Sequence, residues 1–473
     1  MIIMKHLSSL QILLLSVPVQ LTHSFSPSTS TLTTRSKSMS MSMSTSTSTT
    51  ATSSKIPKNI LVIGGGIQGT SVAYHLSQHP SYNSQNTKIQ ILEAKSPASA
   101  ASGKGGGFMA RSWGDGSPTQ SLHHLGFDLY KEYATKLDLK SYRKLPVLSV
   151  SPGKNDSGLK RALKDRNVKD VMPNWLDGNM GNVGLLGYGD DTAQVTPTEI
   201  VERMIEMGNI EVIVGECVGV DSNNNEVGSG NGDDDGNKNK QISGVRYIPR
   251  GQSEEVIIEA DTVVVSAGPW SCTAEDWFDN AVDLPMEGVK STSIVWKKGE
   301  DDVDATALFC GEDNRFGTHL EVYPRPDGSI YICGIGGSDY ITKEELKAGA
   351  YREECNAKES RVDAASSAFR EMSGVYKQKG ALDRVQACMR PCPPDAMPYM
   401  GKIPGYDGAY INAGHNCWGI AWAPSCGKAM AELIWDGESS SVDLKPFDPS
   451  RFTTKVGGGR GRKRRGMNVG EQW

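Results

Sequence analysis

Nine cysteines, an odd number scattered along 473 residues, do not form the dense, even pattern of a disulfide-stapled domain. No Cys-x2-Cys pair is present, and Cys388 and Cys392 are interleaved with Pro391 and Pro393, so no structural metal site is expected. The apolar run Leu10 to Val19 falls short of the ~20 residues a membrane span requires, and no stable span is expected. A net charge of -5 provides no field that would attract nucleic acid or anionic lipid, and no nucleic-acid partner is expected. Between Phe25 and Lys55 there is no Asp or Glu at all. What remains is the composition of a small-molecule enzyme, long enough for two domains plus terminal extensions.

The N-terminus carries an address. Lys5, the apolar run and small Thr22 and Ser24 fit a signal peptide over residues 1–24, followed by an acid-poor, Ser/Thr-rich, transit-peptide-like disordered segment over 25–57. With Phe25 just after the presumed cut, the order resembles the bipartite presequences of plastids reached through the secretory pathway. The expected location is such a plastid; a secretory compartment, with this segment as an extracellular stalk, or the cytoplasm are the alternatives. Reduced thiols fit a plastid stroma.

Beyond the address, Asn59 to Ile63 reads as a buried parallel strand, Thr70 to Ser77 as a helix and Ile89 to Leu92 as the next strand, with a polar loop from His79 to Thr87. Thr196 and Pro197 open a helix through Met207, and Val212 to Val220 and Thr262 to Ser266 read as strands. Residues 221–240, nearly all Asn, Gly, Asp and Lys, are expected to be a disordered insertion at a hairpin tip. From Asp283 to Gly337 the β-branched and aromatic alternation of "SIVWKK", "LEVYPRPDG" and "SIYICG" predicts antiparallel sheet, and the first domain resumes at about Gln386. Residues 446–473 read as a basic disordered tail.

Gly64, Gly66 and Gly69 follow the first strand and open the helix, the placement that gives a tight turn, close backbone approach to a pyrophosphate and close helix packing. The helix N-terminus there presents free N–H groups to phosphate oxygens. Glu93, at the end of the next strand, is placed to accept both ribose hydroxyls of an adenosine.

Later motifs say which dinucleotide. "SPASAASGKGGGF" resembles the flavin-side pyrophosphate loop of the D-amino-acid oxidase, glycine oxidase and sarcosine oxidase superfamily, which implies that Ser102, Gly103, Lys104 and Gly106 run along the cofactor. "ADTVVVSAGPWS" resembles the segment that closes the cofactor site, through Ala267, Gly268 and Trp270, and "YINAGHNCWGIAWAPSCGKAMAELIWDG" the flavin-contacting turn and final helix, through Gly414, His415, Asn416, Trp418, Gly419 and Ile420. The resemblance, nearest a poorly characterised fungal and plant branch, extends from Lys58 to Gly437. It also places Ile67, Gln68, Ala94 and Val218 beside FAD. It implies an α/β fold: a discontinuous, Rossmann-like FAD-binding domain (58–145, 191–282 and 386–445) with an inserted antiparallel-sheet substrate domain of α+β type (146–190 and 283–385).

Arg390, in "RPCPPDAMPYMG", matches the arginine that in glycine oxidase pairs with the substrate carboxylate; a surface ion pair is its alternative role. The family's second substrate arginine is replaced by Cys417. "ACMR" resembles the place where sarcosine-oxidase relatives attach FAD through a cysteine, so Cys388 is either such a link or an inert buried thiol. The expected activity is oxidation of a C–N bond of a small amine or amino-acid-like substrate by hydride transfer to flavin N5, with oxygen or another electron acceptor. A nicotinamide-only dehydrogenase and a flavin-binding assembly protein with little turnover are the rivals.

Overall fold

Asn59–Ile63 has no polar side chain after its first residue, and burial on both faces accounts for that: Ile60 and Val62 pack into one hydrophobic cluster, Leu61 and Ile63 into another. The computed structural model describes residues 56–224, 239–297 and 303–453; the expected signal and transit segments lie outside these apart from Ile56 and Pro57. Five parallel strands stand side by side in the order Glu211–Asn224, Lys88–Glu93, Asn59–Ile63, Thr262–Val265, Ala409–Ala413. Antiparallel Tyr399–Lys402 extends one edge and the strands Lys240–Pro249 and Val256–Glu259 the other. Helices Ile67–Gln78, Gln120–Lys136, Pro197–Gly208 and Gly419–Trp435 contribute buried side chains to the cluster on one face.

A second sheet of eight strands has the order Asp339–Ile341, Glu287–Lys297, Ser329–Cys333, Glu321–Pro324, Ala307–Cys310, Val147–Pro152, Met180–Gly187, with Ala381–Cys392 also paired to Glu287–Lys297. Side-chain alternation divides its two faces. Val322, Ile330 and Ile332 join a core with Trp175, Trp296 and Phe369, whereas Tyr323 and Tyr331 belong to a separate cluster on the opposite face. Both sheets belong to one unit, Ser54–Trp473.

Three expectations need correction. The strand Ala381–Cys392 pairs with Glu287–Lys297 along its whole length, so the chain leaves the second sheet after Cys392, not at Gln386. The stretch from Asp283 to Gly337 pairs antiparallel within itself, as expected, and Ala307–Cys310 also runs parallel to Val147–Pro152. Asp221–Asn224 is strand and not loop: it pairs with residues from Gly244 back to Lys240, and Asp221 binds Arg246 at 2.9 Å. The remaining insertion, 225–238, lies outside the described residues. The tail is ordered as far as Thr453, because Phe447 is buried and Arg451 forks onto Asp395 at 2.8 and 3.1 Å; residues 454–473 lie outside the described residues. Polar composition concealed both segments, since neither signals itself by apolar periodicity. Among the described residues, no helix is long and apolar enough to cross a membrane.

Candidate functional site

Each parallel strand ends in a turn, and the carboxyl ends of such a sheet are where loops leave room for a ligand. The turns after Ile63, Glu93, Val265 and Ala413 line one wall of a cavity of about 590 Å³; the inward face of the second sheet lines another. The first turn is tight: Gly64 has φ +109°, and a Cβ there would stand 2.4 Å from the Ser266 carbonyl oxygen. At Gly66 an added Cβ would meet only the Ser102 hydroxyl, at 3.0 Å, so this glycine opens space on the ligand side. Gly69 does not line the cavity; its missing side chain lets the helix approach the Gly64 carbonyl, which a Cβ would reach at 2.0 Å.

Ile67, Gln68, Glu93, Ala94, Ser102, Lys104, Gly106, Ala267, Gly268, Trp270, Gly414, His415, Asn416, Trp418, Gly419 and Ile420 all line this one cavity, with Gly64 and Gly66. Gly103 does not, because it packs on the Ala98 carbonyl. Val218 does not either: it is skipped where the strand register shifts between Cys217 and Gly219, and Cys217 lines the cavity instead. Several side chains have fixed partners. Gln68 donates to Gly419 O at 2.6 Å and accepts from Asn412 at 3.1 Å, tying the first helix to the last turn. The Ser102 hydroxyl accepts the Ile67 N–H at 2.9 Å, and Lys104 donates to Ala387 O at 3.0 Å. Glu93 accepts N–H groups from Gly65 at 2.7 Å and Lys95 at 3.0 Å, one on each oxygen, so a ribose would share an already bonded carboxylate. Burial raises the Glu93 carboxyl, with the Lys95 and Gly65 N–H groups acting against it.

The residues fit a dinucleotide. A helix N-terminus faces the cavity, whose lining is mainly apolar, and buried Ser266 Oγ, Asn412 Oδ1 and His415 Nε2 on its walls have no protein partner. Burial lowers His415 to about 3, which keeps it neutral and suits ligand contact better than proton transfer.

At the far end, Cys388 and Arg390 occupy alternate positions of one strand and both line the cavity. Burial pushes the Cys388 thiol up to about 11, against formation of a thiolate. Arg390 keeps its proton: burial opposes the charge, but nearby acidic groups, Cys417 first and Glu321 among them, outweigh burial. Its Nε has no partner. Arg390 is thus half-buried on the cavity wall.

Sequence reasoning missed the opposite wall. Phe108, Trp113, Phe309, Tyr323 and Tyr331 form an aromatic cluster with centroid separations of 5.0 to 6.2 Å. Glu321, 8% exposed, lies beside Tyr323 on the same strand face. The signal was available, since alternate residues of "LEVYPRPDG" and "SIYICG" are the ones turned inward. Among the described residues, no group of three or more His, Cys, Asp or Glu is arranged to hold a metal.

Known proteins share this arrangement. The chain is 27% identical over 402 residues to a Schizosaccharomyces pombe protein whose assignment as an oxidoreductase is provisional, covering 83% of this chain and 98% of that one. It is 24% identical over 420 residues to a glycine oxidase of Bacillus licheniformis, covering 83% and 96%. The solved glycine oxidase of Bacillus cereus has the same fold, with a TM-score of 0.59 at 18% identity over 84% of this chain and 100% of that one. The L-amino acid deaminase of Proteus myxofaciens superposes with a TM-score of 0.62 at 17% identity, over 84% and 94%. The family described as "DAO: FAD dependent oxidoreductase" matches residues 59–433, and with a cavity formed by the strand ends of a dinucleotide sheet, the chain belongs to this family of FAD-dependent oxidoreductases.

Proposed function

We propose that this protein oxidises the C–N bond of a small amine or amino-acid-like substrate. The observation that carries the reading is Arg390, a charged guanidinium with an unpartnered Nε on the wall of the cavity that also contains the dinucleotide turn. FAD, when bound, supplies the hydride acceptor. The protein's own part is to bind and orient. The turn at Gly64 and Gly66 and the helix behind it receive the pyrophosphate, Arg390 takes a substrate carboxylate through paired charge-assisted hydrogen bonds, and the aromatic wall excludes water. The relatives support this reading: glycine oxidases and an L-amino acid deaminase share the fold. Noncovalent FAD is part of this reading, and the raised Cys388 thiol supports it, since attachment needs a thiolate.

The test is anaerobic flavin reduction by a panel of amino acids, N-methyl amino acids and polyamines. Arg390→Ala is expected to keep its FAD and to weaken the apparent substrate affinity by about 2 to 5 kcal/mol, as for one partner of a buried charge pair. Arg390→Lys, which keeps charge without the planar fork, is expected to fall between. Unchanged reduction kinetics in Arg390→Ala would remove that residue from the site, and a flavin that no amine bleaches would leave a flavoprotein without this turnover.

A further inference from the structure

The buried carboxylate of Glu321 has no role in holding the fold together that uses both of its oxygens. Oε2 accepts the Tyr323 hydroxyl and, at 3.4 Å, the Cys333 thiol. Oε1 is buried and has no partner. The strand pairing explains why the side chain faces the cavity: Glu321 is opposite Cys333 and Tyr323 opposite Tyr331, and all four line it. Arg390 acts on Glu321 from across the sheet, on the strand Ala381–Cys392, and His319 acts on it from just before the strand that begins at Glu321.

A cavity wall lined with tyrosine and phenylalanine would be cheaper to build without a carboxylate, because an ionised oxygen left unbonded in such surroundings is strongly disfavoured. Its retention makes sense if a ligand completes it. We propose that Glu321 is the seat of the substrate's ammonium group, so that Glu321 and Arg390 together select a dipolar substrate, an amino acid or N-alkyl amino acid, over a plain amine or a plain carboxylate. The pair gives each end of the ligand an opposite charge, and a ligand lacking either end leaves one buried charge uncompensated. Burial raises the Glu321 carboxyl, while Tyr323, Cys333, Arg390 and His319 act in the other direction. A carboxylate so placed can accept a proton from the ammonium, breaking N–H and forming O–H, which leaves the bound amine neutral. The proposal rests on the amine-oxidising reading for its biological meaning but is tested separately from it.

The probes are 2-aminoisobutyrate and 2,2-dimethylpropanoate, which differ by an ammonium in place of a methyl group; the first has no Cα–H to lose and binds without turnover. Each is titrated into the FAD-loaded protein, with the shift of flavin absorbance as the readout. The wild type is expected to prefer 2-aminoisobutyrate by at least about tenfold, as charge-assisted bonds of this kind imply. Glu321→Gln is expected to abolish the preference and Glu321→Asp to keep most of it, while Arg390→Ala weakens both ligands together. A wild type that binds neither probe, or shows no preference, overturns the proposal whatever the variants do. So does a preference that survives in Glu321→Gln. Amine oxidation without this Glu321-dependent preference sinks the present inference alone. The preference without any amine oxidation sinks the function proposed above and leaves Glu321 as the ammonium seat.

Discussion

At the scale of single residues, the three glycines of the first turn serve different ends, and substitution separates them. Gly66 has ordinary extended backbone, with φ -73°, and space for a Cβ beside the Ser102 hydroxyl. Gly66→Val is therefore expected to fold and to lose FAD, because its side chain occupies the approach to the pyrophosphate. At Gly69 the added Cβ would collide with the Gly64 carbonyl at 2.0 Å, so Gly69→Ala is expected to cost on the order of 1 to 3 kcal/mol of stability. Flavin content and thermal midpoint measured on the same preparations distinguish the two. Equal midpoints, or full flavin in Gly66→Val, would contradict the division. The glycine spacing was legible in the sequence, but this division was not, because it depends on what each missing side chain would touch.

Elements show where composition misleads. Residues 221–240 look uniformly unfit for a core, yet Asp221, Ser222, Asn223 and Asn224 pair with Gly244, Ile242, Gln241 and Lys240. The far end of a long strand gains its place from backbone pairing, which polar residues can supply as well as apolar ones. Replacing residues 225–239 by Asn-Gly is expected to leave flavin content and the melting temperature nearly unchanged, since a short hairpin turn closes the ladder and loop length costs little. Removing 221–240 entirely takes out four ladder pairs and the Lys240–Asp279 ion pair, and is expected to lower the midpoint further. Indistinguishable melting curves for the two deletions would show that those pairs contribute nothing. The strand carrying Arg390 teaches the same lesson: its residues fix the motif, but only pairing with Glu287–Lys297 assigns it to the second sheet.

Across the whole molecule, acid should weaken the fold through histidines held neutral inside it. His75 is wedged between helices, with Ser71 O at Nδ1, 2.7 Å away, and the Tyr133 hydroxyl at Nε2; burial lowers it to about 4, as it lowers His415 to about 3. Folded values below the unfolded value near 6.5 mean that the unfolded chain takes up protons first. Their stabilisation is complete above about pH 6.5 and declines as pH falls toward 4 and then 3, by up to about 1.4 kcal/mol per pH unit for each histidine. The holoprotein is expected to melt lower at pH 5 than at pH 7.5, and His75→Asn to show a shallower dependence. A slope unaltered by that variant would remove His75 as a cause. Acid precipitation is expected to release FAD to the supernatant; yellow colour kept in the pellet, and lost in Cys388→Ser, would reverse the noncovalent reading. For the address we propose plastid entry by the secretory route: a fluorescent fusion of residues 1–55 is expected in such plastids, and cytosolic fluorescence would refute it.

The sequence by itself determined the dinucleotide turn and the flavin family and singled out Arg390, because each depends on residue types at short spacing: glycines where backbone must approach, apolar runs where a strand is buried on both faces, a motif around one arginine. It could not determine the opposing wall. Glu321, Tyr323, Tyr331 and Cys333 share one cavity with Arg390 only when the hairpin of Glu321–Pro324 and Ser329–Cys333 is joined through Glu287–Lys297 to Ala381–Cys392, and which face of that sheet turns inward is settled by the Trp175 and Phe369 core packed behind it. Local pattern specifies an element and its two faces, whereas the choice between the faces, and with it the charge that meets a substrate, depends on long-range packing.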